Sequence, residues 1–320
     1  AGRPDQVVRV PPLGWGLMEA LRTPEERFAD LPDYPFEPNY AEVRDGEGGI
    51  LRVHYLDEGP ADAAPVLLVH GEPSWSYLYR HMVPILVNAG HRVVVPDLVG
   101  FGRSDKPTRQ TDYSYARHVA WLSELVFDHL DLRDATFFGQ DWGGLLGLRL
   151  VAAEPDRFAR VVIGNSGLPT GHGPASEAFL RWQRFSQTTP VFPVGDLVGS
   201  ACTTELSAAV VAAYDAPFPD DTFKAGARIF PSFVPTNPDD PETAPNQAAW
   251  RVLEAFQKPF LCAFSDSDPV TAGGDAPFLA KVPGARGRQH PTIVGAGHFL
   301  QEDAGPELAA VIRDFISDTS

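Results

Sequence analysis

An aspartate sits at the apex of a glycine-framed turn, Gly139-Gln140-Asp141-Trp142-Gly143-Gly144. A short apolar run, Ala135-Thr136-Phe137-Phe138, precedes the turn, and a helix-like run from Leu145 to Leu150 follows it. Strand, sharp turn and helix with a reactive side chain at the apex is the context of a nucleophile elbow, where glycines admit the tight backbone path. Serine is the usual apical residue. A carboxylate in its place changes the chemistry that is open. Attack on an ester or amide carbonyl would give an anhydride, whereas displacement at a saturated carbon gives an ester that water can later cleave. The turn therefore points to alkyl transfer onto Asp141 followed by hydrolysis.

Such a nucleophile needs a base and a group to orient the base. His298 lies in the glycine-flanked segment Gly295-Ala296-Gly297-His298-Phe299, just after the last strand signal. Asp268 lies in Ser265-Asp266-Ser267-Asp268-Pro269, just after the preceding one. The chain order of nucleophile, acid and histidine is that of the α/β-hydrolase arrangement. All three fall at carboxyl ends of strands, where open α/β sheets build their sites. Singly, each has a structural reading: an Asp in such a turn is most often an Asx-turn or a cap, and a lone His is most often packing. Asp266 competes with Asp268 for the acid. His70 also ends a strand but precedes the nucleophile. Asn165, after the strand that follows the elbow, has no carboxylate, which favours an acid one strand later.

Two further features complete the set. His70-Gly71-Glu72-Pro73 follows a buried strand, so the Glu72 N–H and the Trp142 N–H could form an oxyanion hole. The sequence assigns no role to the Glu72 side chain. Trp142 places an indole, a donor without acceptor capacity on an apolar body, beside the nucleophile. That suits a large, weakly hydrated anion such as chloride or bromide leaving carbon. Trp182 is the one tryptophan between Leu168 and Ala244 and is the candidate second donor, with Trp250 as fallback. Trp15, Trp75 and Trp121 read as packing.

These residues need a sheet to hold them. Pro- and aromatic-rich residues 1–40 read as an irregular surface arm. Strand signals follow at Ile50–Leu56, after a hairpin turn at Asp45–Gly49, and at Val66–Val69, Arg92–Val95, Phe137–Phe138, Val161–Ile163, Phe260–Phe264 and Thr292–Val294. Helical patterns alternate with them at Tyr77–Asn88, Tyr115–Leu130, Gly144–Ala153 and Pro306–Ser317. The alternation predicts an α/β fold with a mostly parallel central sheet flanked by helices. It breaks between Leu168 and Ala244, which is rich in Phe and Pro and has helix-like pieces at Glu177–Phe185 and Glu205–Tyr214. The expected division is a core of residues 1–167 and 245–320, with a helical cap, 168–244, inserted after the sixth strand. Phe179, Phe185, Phe192, Phe223, Phe230 and Leu300 are candidate cavity walls.

At 320 residues and 43% hydrophobic content the chain can bury a sizeable core. A net charge of −16 argues against nucleic acid or anionic membrane as partners. No run approaches the roughly 20 apolar residues of a membrane span, and Ala1–Asp5 holds no signal core, so a cytoplasmic location is the default expectation. Cys202 and Cys262 form no metal-binding or disulfide framework. Gly100 to Asp105 lacks the third glycine and the helix of a dinucleotide loop.

The chain resembles the haloalkane dehalogenases of the α/β-hydrolase fold from roughly Val43 to Ile316. The resemblance is carried by His70-Gly71-Glu72-Pro73-Ser74-Trp75-Ser76-Tyr77, Pro96-Asp97-Leu98-Val99-Gly100-Phe101-Gly102-Arg103-Ser104-Asp105, Gln140-Asp141-Trp142-Gly143-Gly144 and Gly297-His298-Phe299. Glu after His-Gly, a lid Trp, an acid after the seventh strand and the lid stretch Ala216–Asp220 are similar to the subfamily with two halide-binding tryptophans. The other main subfamily has Asn after His-Gly. The resemblance implies Asp141 as nucleophile, His298 and Asp268 completing the triad, halide held by Trp142 and Trp182, and no cofactor or metal. A small neutral halogenated hydrocarbon and water are the expected substrates, the halide ion a product, and a monomer the expected unit. An epoxide hydrolase of the same fold would want two lid tyrosines, and the lid has one, Tyr214. A non-catalytic ligand-binding homologue is the other alternative, and dispersal of the three triad candidates would favour it.

Overall fold

A computed structural model of the chain describes residues 18–173 and 175–320. Trp15 and the first seventeen residues of the predicted arm lie outside the described residues. Seven strands form the main sheet: β1 (Asn39–Arg44), β2 (Ile50–Glu58), β3 (Pro65–Val69), β4 (Arg92–Pro96), β5 (Ala135–Gln140), β6 (Phe158–Gly164) and β7 (Phe260–Cys262). Their spatial order is β1-β2-β4-β3-β5-β6-β7. The β1–β2 hairpin and the β2–β4 pair are antiparallel, and every later pair is parallel. Every residue of β3, β5 and β7 is buried, as continuous apolar runs require when helices cover both faces of a sheet.

The helices are α1 (Val83–Asn88), α2 (Tyr115–Ser123), α3 (Trp142–Ala153), α4 (Glu177–Thr188), α5 (Val194–Ser200), α6 (Ala208–Asp215), α7 (Ala225–Ile229), α8 (Thr243–Leu253), α9 (Ala276–Lys281) and α10 (Leu300–Asp318). Three differ from the sequence pattern for identifiable reasons. The stretch 77–88 is a 3₁₀ turn, Ser76–Tyr79, followed by α1, which restarts where Pro84 falls in its first turn and needs no intrahelical acceptor. The 115–130 stretch passes from α-helix into a π-helical turn over Glu124–His129. In α10, Ala304 (φ −143°, ψ 36°) breaks the helical path, so a separate turn from Leu300 precedes the segment predicted from Pro306.

Between β6 and β7 the described chain is helical, running through α4 to α8. Ser176 and Ser207 cap α4 and α6 by accepting the N–H groups of Phe179 and Val210. Helix α8 straddles residue 244, so the expected boundary cuts a helix that packs on α3 through Arg149, whose Nη1 donates to Glu242 and Asn246 at 2.9 and 3.0 Å. The α6 end of this layer is tied to the sheet domain by a buried cluster. Tyr214 Oη donates to Glu302 at 2.6 Å, and Arg80 grips the same carboxylate at 2.5 and 2.7 Å. Among the described residues no helix is long and apolar enough to cross a membrane.

Candidate active site

Asp141 joins β5 to α3 with φ 51° and ψ −128°, a left-handed conformation that an L residue holds only when its surroundings impose it. The surroundings do so by close packing. A Cβ at Gly143 would collide with the carbonyl oxygen of Val69 at the end of β3, and one at Gly71 would collide with the Asp141 carboxylate. The Asp141 N–H donates to Asn165 O at 2.9 Å, and Ser166 Oγ donates to Asp141 O at 2.7 Å. The side chain is thus aimed off the carboxyl edge of the sheet into the cavity.

There it meets the residues the sequence selected. Asp141 Oδ1 accepts the Glu72 backbone N–H at 2.8 Å, and Oδ2 lies 3.5 Å from His298 Nε2. His298 Nδ1 lies 2.9 Å from Asp268 Oδ2. Asp268 also accepts the Val270 N–H at 2.8 Å and the Thr271 hydroxyl. Asp266 is exposed and caps the neighbouring loop by accepting the Gly295 N–H at 2.8 Å. His70 is fully buried, and its ring nitrogens are taken up by Gly71 O and the Leu98 N–H.

Electrostatics couple these groups. Burial works against a proton on His298, but the Asp268 charge and the hydrogen bond to Asp141 overcome it and lift the imidazole to about 10. Burial likewise opposes charge on Asp268, yet the His298 charge and the bonds from His298, Thr271 and Val270 hold it below the usual carboxylate range. A His held above its unfolded value stabilises the fold fully below about 6.5 and loses that contribution as pH rises towards 10. The difference in Tm between the native chain and His298→Gln should therefore shrink as the pH is raised from 7 to 10. A constant difference in calorimetry contradicts the coupling.

The cavity is about 710 Å³, and its wall includes Glu72, Asp141, Trp142, Phe179, Trp182 and His298. The Trp142 ring is braced edge-on by Tyr115 and Phe230, with centroids at 5.0 and 4.6 Å. Trp182 reaches the cavity from α4, backed by Phe185 and Phe192 at 5.9 and 5.8 Å. The fallback donor is spent, because Trp250 Nε1 donates to Leu168 O at 2.7 Å. Of the six predicted wall residues only Phe179 lines the cavity. Phe192 and Phe230 stand behind the indoles, Leu300 is fully buried, and Phe185 is 38% exposed. Trp75 and Trp121 pack in the interior. Tyr214, committed to Glu302, does not line the cavity, and among the described residues an epoxide oxygen there would find no tyrosine.

With this geometry in view, comparison with known proteins is direct. The family model for the α/β hydrolase fold matches residues 64–305. A haloalkane dehalogenase of Psychrobacter cryohalolentis is 59% identical over 301 residues, covering 94% of this chain and 99% of the relative. The chain belongs to the haloalkane dehalogenase family. Another member, from Mycolicibacterium paratuberculosis, is 51% identical over 91% of this chain and 96% of its own. The tetrameric haloalkane dehalogenase DpaA from Paraglaciecola agarilytica NO2 superposes with a TM-score of 0.84 at 39% identity, covering 92% of this chain and 97% of that one. Haloalkane dehalogenases hydrolyse carbon–halogen bonds, and that is the activity of this chain.

Sequence reasoning missed the polar scaffold beneath the histidine. Gln140 Nε2 donates to His298 O at 3.0 Å, and Asn165 Nδ2 donates to Gly297 O and His298 O at 2.9 and 3.1 Å. Both residues are 0% exposed. A buried amide closing an apolar strand is the signal that could have found them, since such a group must be hydrogen-bonded. The His298 N–H in turn donates to Ala201 O at 2.8 Å, so the loop hangs between sheet domain and helical layer.

Proposed function

We propose that carbon–halogen hydrolysis proceeds through an ester on Asp141. The observation that carries this reading is the relay at Asp141, with one oxygen on the Glu72 N–H at 2.8 Å and the other 3.5 Å from an imidazole bound to Asp268 at 2.9 Å. A carboxylate oxygen attacks the carbon opposite the halogen; the new O–C bond forms as the C–X pair leaves with the halide. The indole N–H groups of Trp142 and Trp182 receive that anion, which assigns the chain to the two-tryptophan subfamily. Ester formation removes the Asp141 charge that helps hold the His298 proton. The imidazole then loses that proton to solvent and takes another from a water adding to the Asp141 carbonyl carbon. The Glu72 and Trp142 N–H groups receive the oxyanion. Collapse frees the alcohol and restores the carboxylate, giving R–OH, X⁻ and H⁺ from R–X and H₂O.

The cavity supports small neutral halogenated hydrocarbons as substrates, with residues 168–244 acting as the cap. A site assembled from one chain supports a monomer as the catalytic unit. Halide release from 1-bromobutane or 1,2-dibromoethane in neutral buffer without added metal tests the activity; hydrolysis of styrene oxide with no turnover of brominated alkanes contradicts it. Trp182→Phe removes one donor to an anion and should weaken bromide binding about tenfold, read by fluorescence quenching. Unaltered quenching contradicts the two-indole site.

A further inference from the structure

Glu72 gives its backbone N–H to the reaction, but its side chain is inside the site as well. The residue is 3% exposed and shares the cavity wall with Asp141, Trp142, Trp182 and His298. Its Oε1 is buried with no hydrogen-bond partner among the described residues. An ionised carboxylate in that position has lost its hydration with no replacement at Oε1, which is strongly unfavourable. Burial first and the Asp141 charge second push the Glu72 carboxyl well above the usual range; the Trp182 indole N–H and His298 oppose them. The protonated acid instead carries a donor that needs an acceptor, and the two indoles supply none. The halide released at every turnover does.

We propose that Glu72 is a third member of the halide site, a carboxylic acid whose O–H turns towards the departing halide beside the Trp142 and Trp182 indoles. The inference rests on the two-indole site proposed above. No proton is transferred, because a halide ion is far too weak a base to take one from a carboxylic acid. Ionised Glu72 would do the reverse, competing for the Trp182 N–H and repelling the anion. Asp141 and His298 also face this group, so the pH dependence of halide binding has two parts, of which only one belongs to Glu72.

Bromide titration by tryptophan quenching between pH 6 and 9 separates them, using the native chain, Glu72→Leu, Glu72→Gln and Trp182→Phe. All keep the backbone N–H at position 72. Glu72→Leu, without a donor, should bind bromide about tenfold more weakly near pH 6.5. Glu72→Gln, whose amide donates at every pH, should bind more tightly than Glu72→Leu and lose less affinity than the native chain as pH rises. The proposal is overturned if Glu72→Leu binds as the native chain does, or if Glu72→Gln keeps the native pH profile. If Glu72→Leu does not fold, the Glu72→Gln profile decides. Intact binding in Trp182→Phe would instead remove the two-indole reading on which the proposal rests.

Discussion

His298→Ala should stop the reaction half-way, with the alkyl group left on Asp141. The first step uses the Asp141 carboxylate and the indole donors, none of which the substitution removes. The second needs a base for water, and among the described residues the one imidazole paired with Asp141 is His298, 3.5 Å away. Losing a positioned general base costs about 10²–10⁴ in rate, so steady turnover should fall by about a thousandfold while one equivalent of halide appears in a burst. Mass spectrometry should place the alkyl increment on the peptide that holds Asp141. An increment on another peptide, or no burst, contradicts the assignment.

Asp141→Asn should abolish carbon–halogen cleavage and leave the fold intact. The apex needs φ 51°, and Asn tolerates this region better than most residues, so the elbow keeps its shape. What is lost is the nucleophile: a neutral amide oxygen displaces halide poorly, and neither remaining acid replaces it, because Asp268 faces Nδ1 of His298 on the far side of the ring and burial raises the Glu72 carboxyl well above the usual range. Turnover should drop at least about 10⁴-fold, by analogy with the loss of other catalytic nucleophiles. The charge lost at Asp141 also lowers the His298 proton affinity, so NMR of the imidazole should show it titrating at lower pH than in the native chain. Residual activity within tenfold of native contradicts the ester route.

The order Asp141, Asp268, His298 was legible because each lies in a loop fixed by its immediate neighbours, a glycine turn or a strand end. The preference for Asp268 over Asp266 had no stereochemical ground in the sequence. Two residues of offset turn one carboxylate to solvent and the other towards the imidazole, and only the fold of the loop decides which. The sheet could be read from its buried runs, whereas Pro84 and the break at Ala304 altered helices that periodicity alone would extend. The cavity wall was the least legible part. Phe179, Phe192 and Phe230 are chemically alike, and a wall differs from a buttress by packing alone. The same holds for Trp182 and Trp250, which the sequence separates only by position and the structure separates by the Leu168 carbonyl that Trp250 occupies.

The central claim is that the oxygen of the product alcohol comes from Asp141. A single turnover in H₂¹⁸O, with enzyme in excess over a bromoalkane, tests it directly. The account predicts an unlabelled alcohol and one ¹⁸O in the peptide that contains Asp141. An ¹⁸O-labelled alcohol with an unlabelled peptide would mean that water attacks carbon directly, and would contradict it.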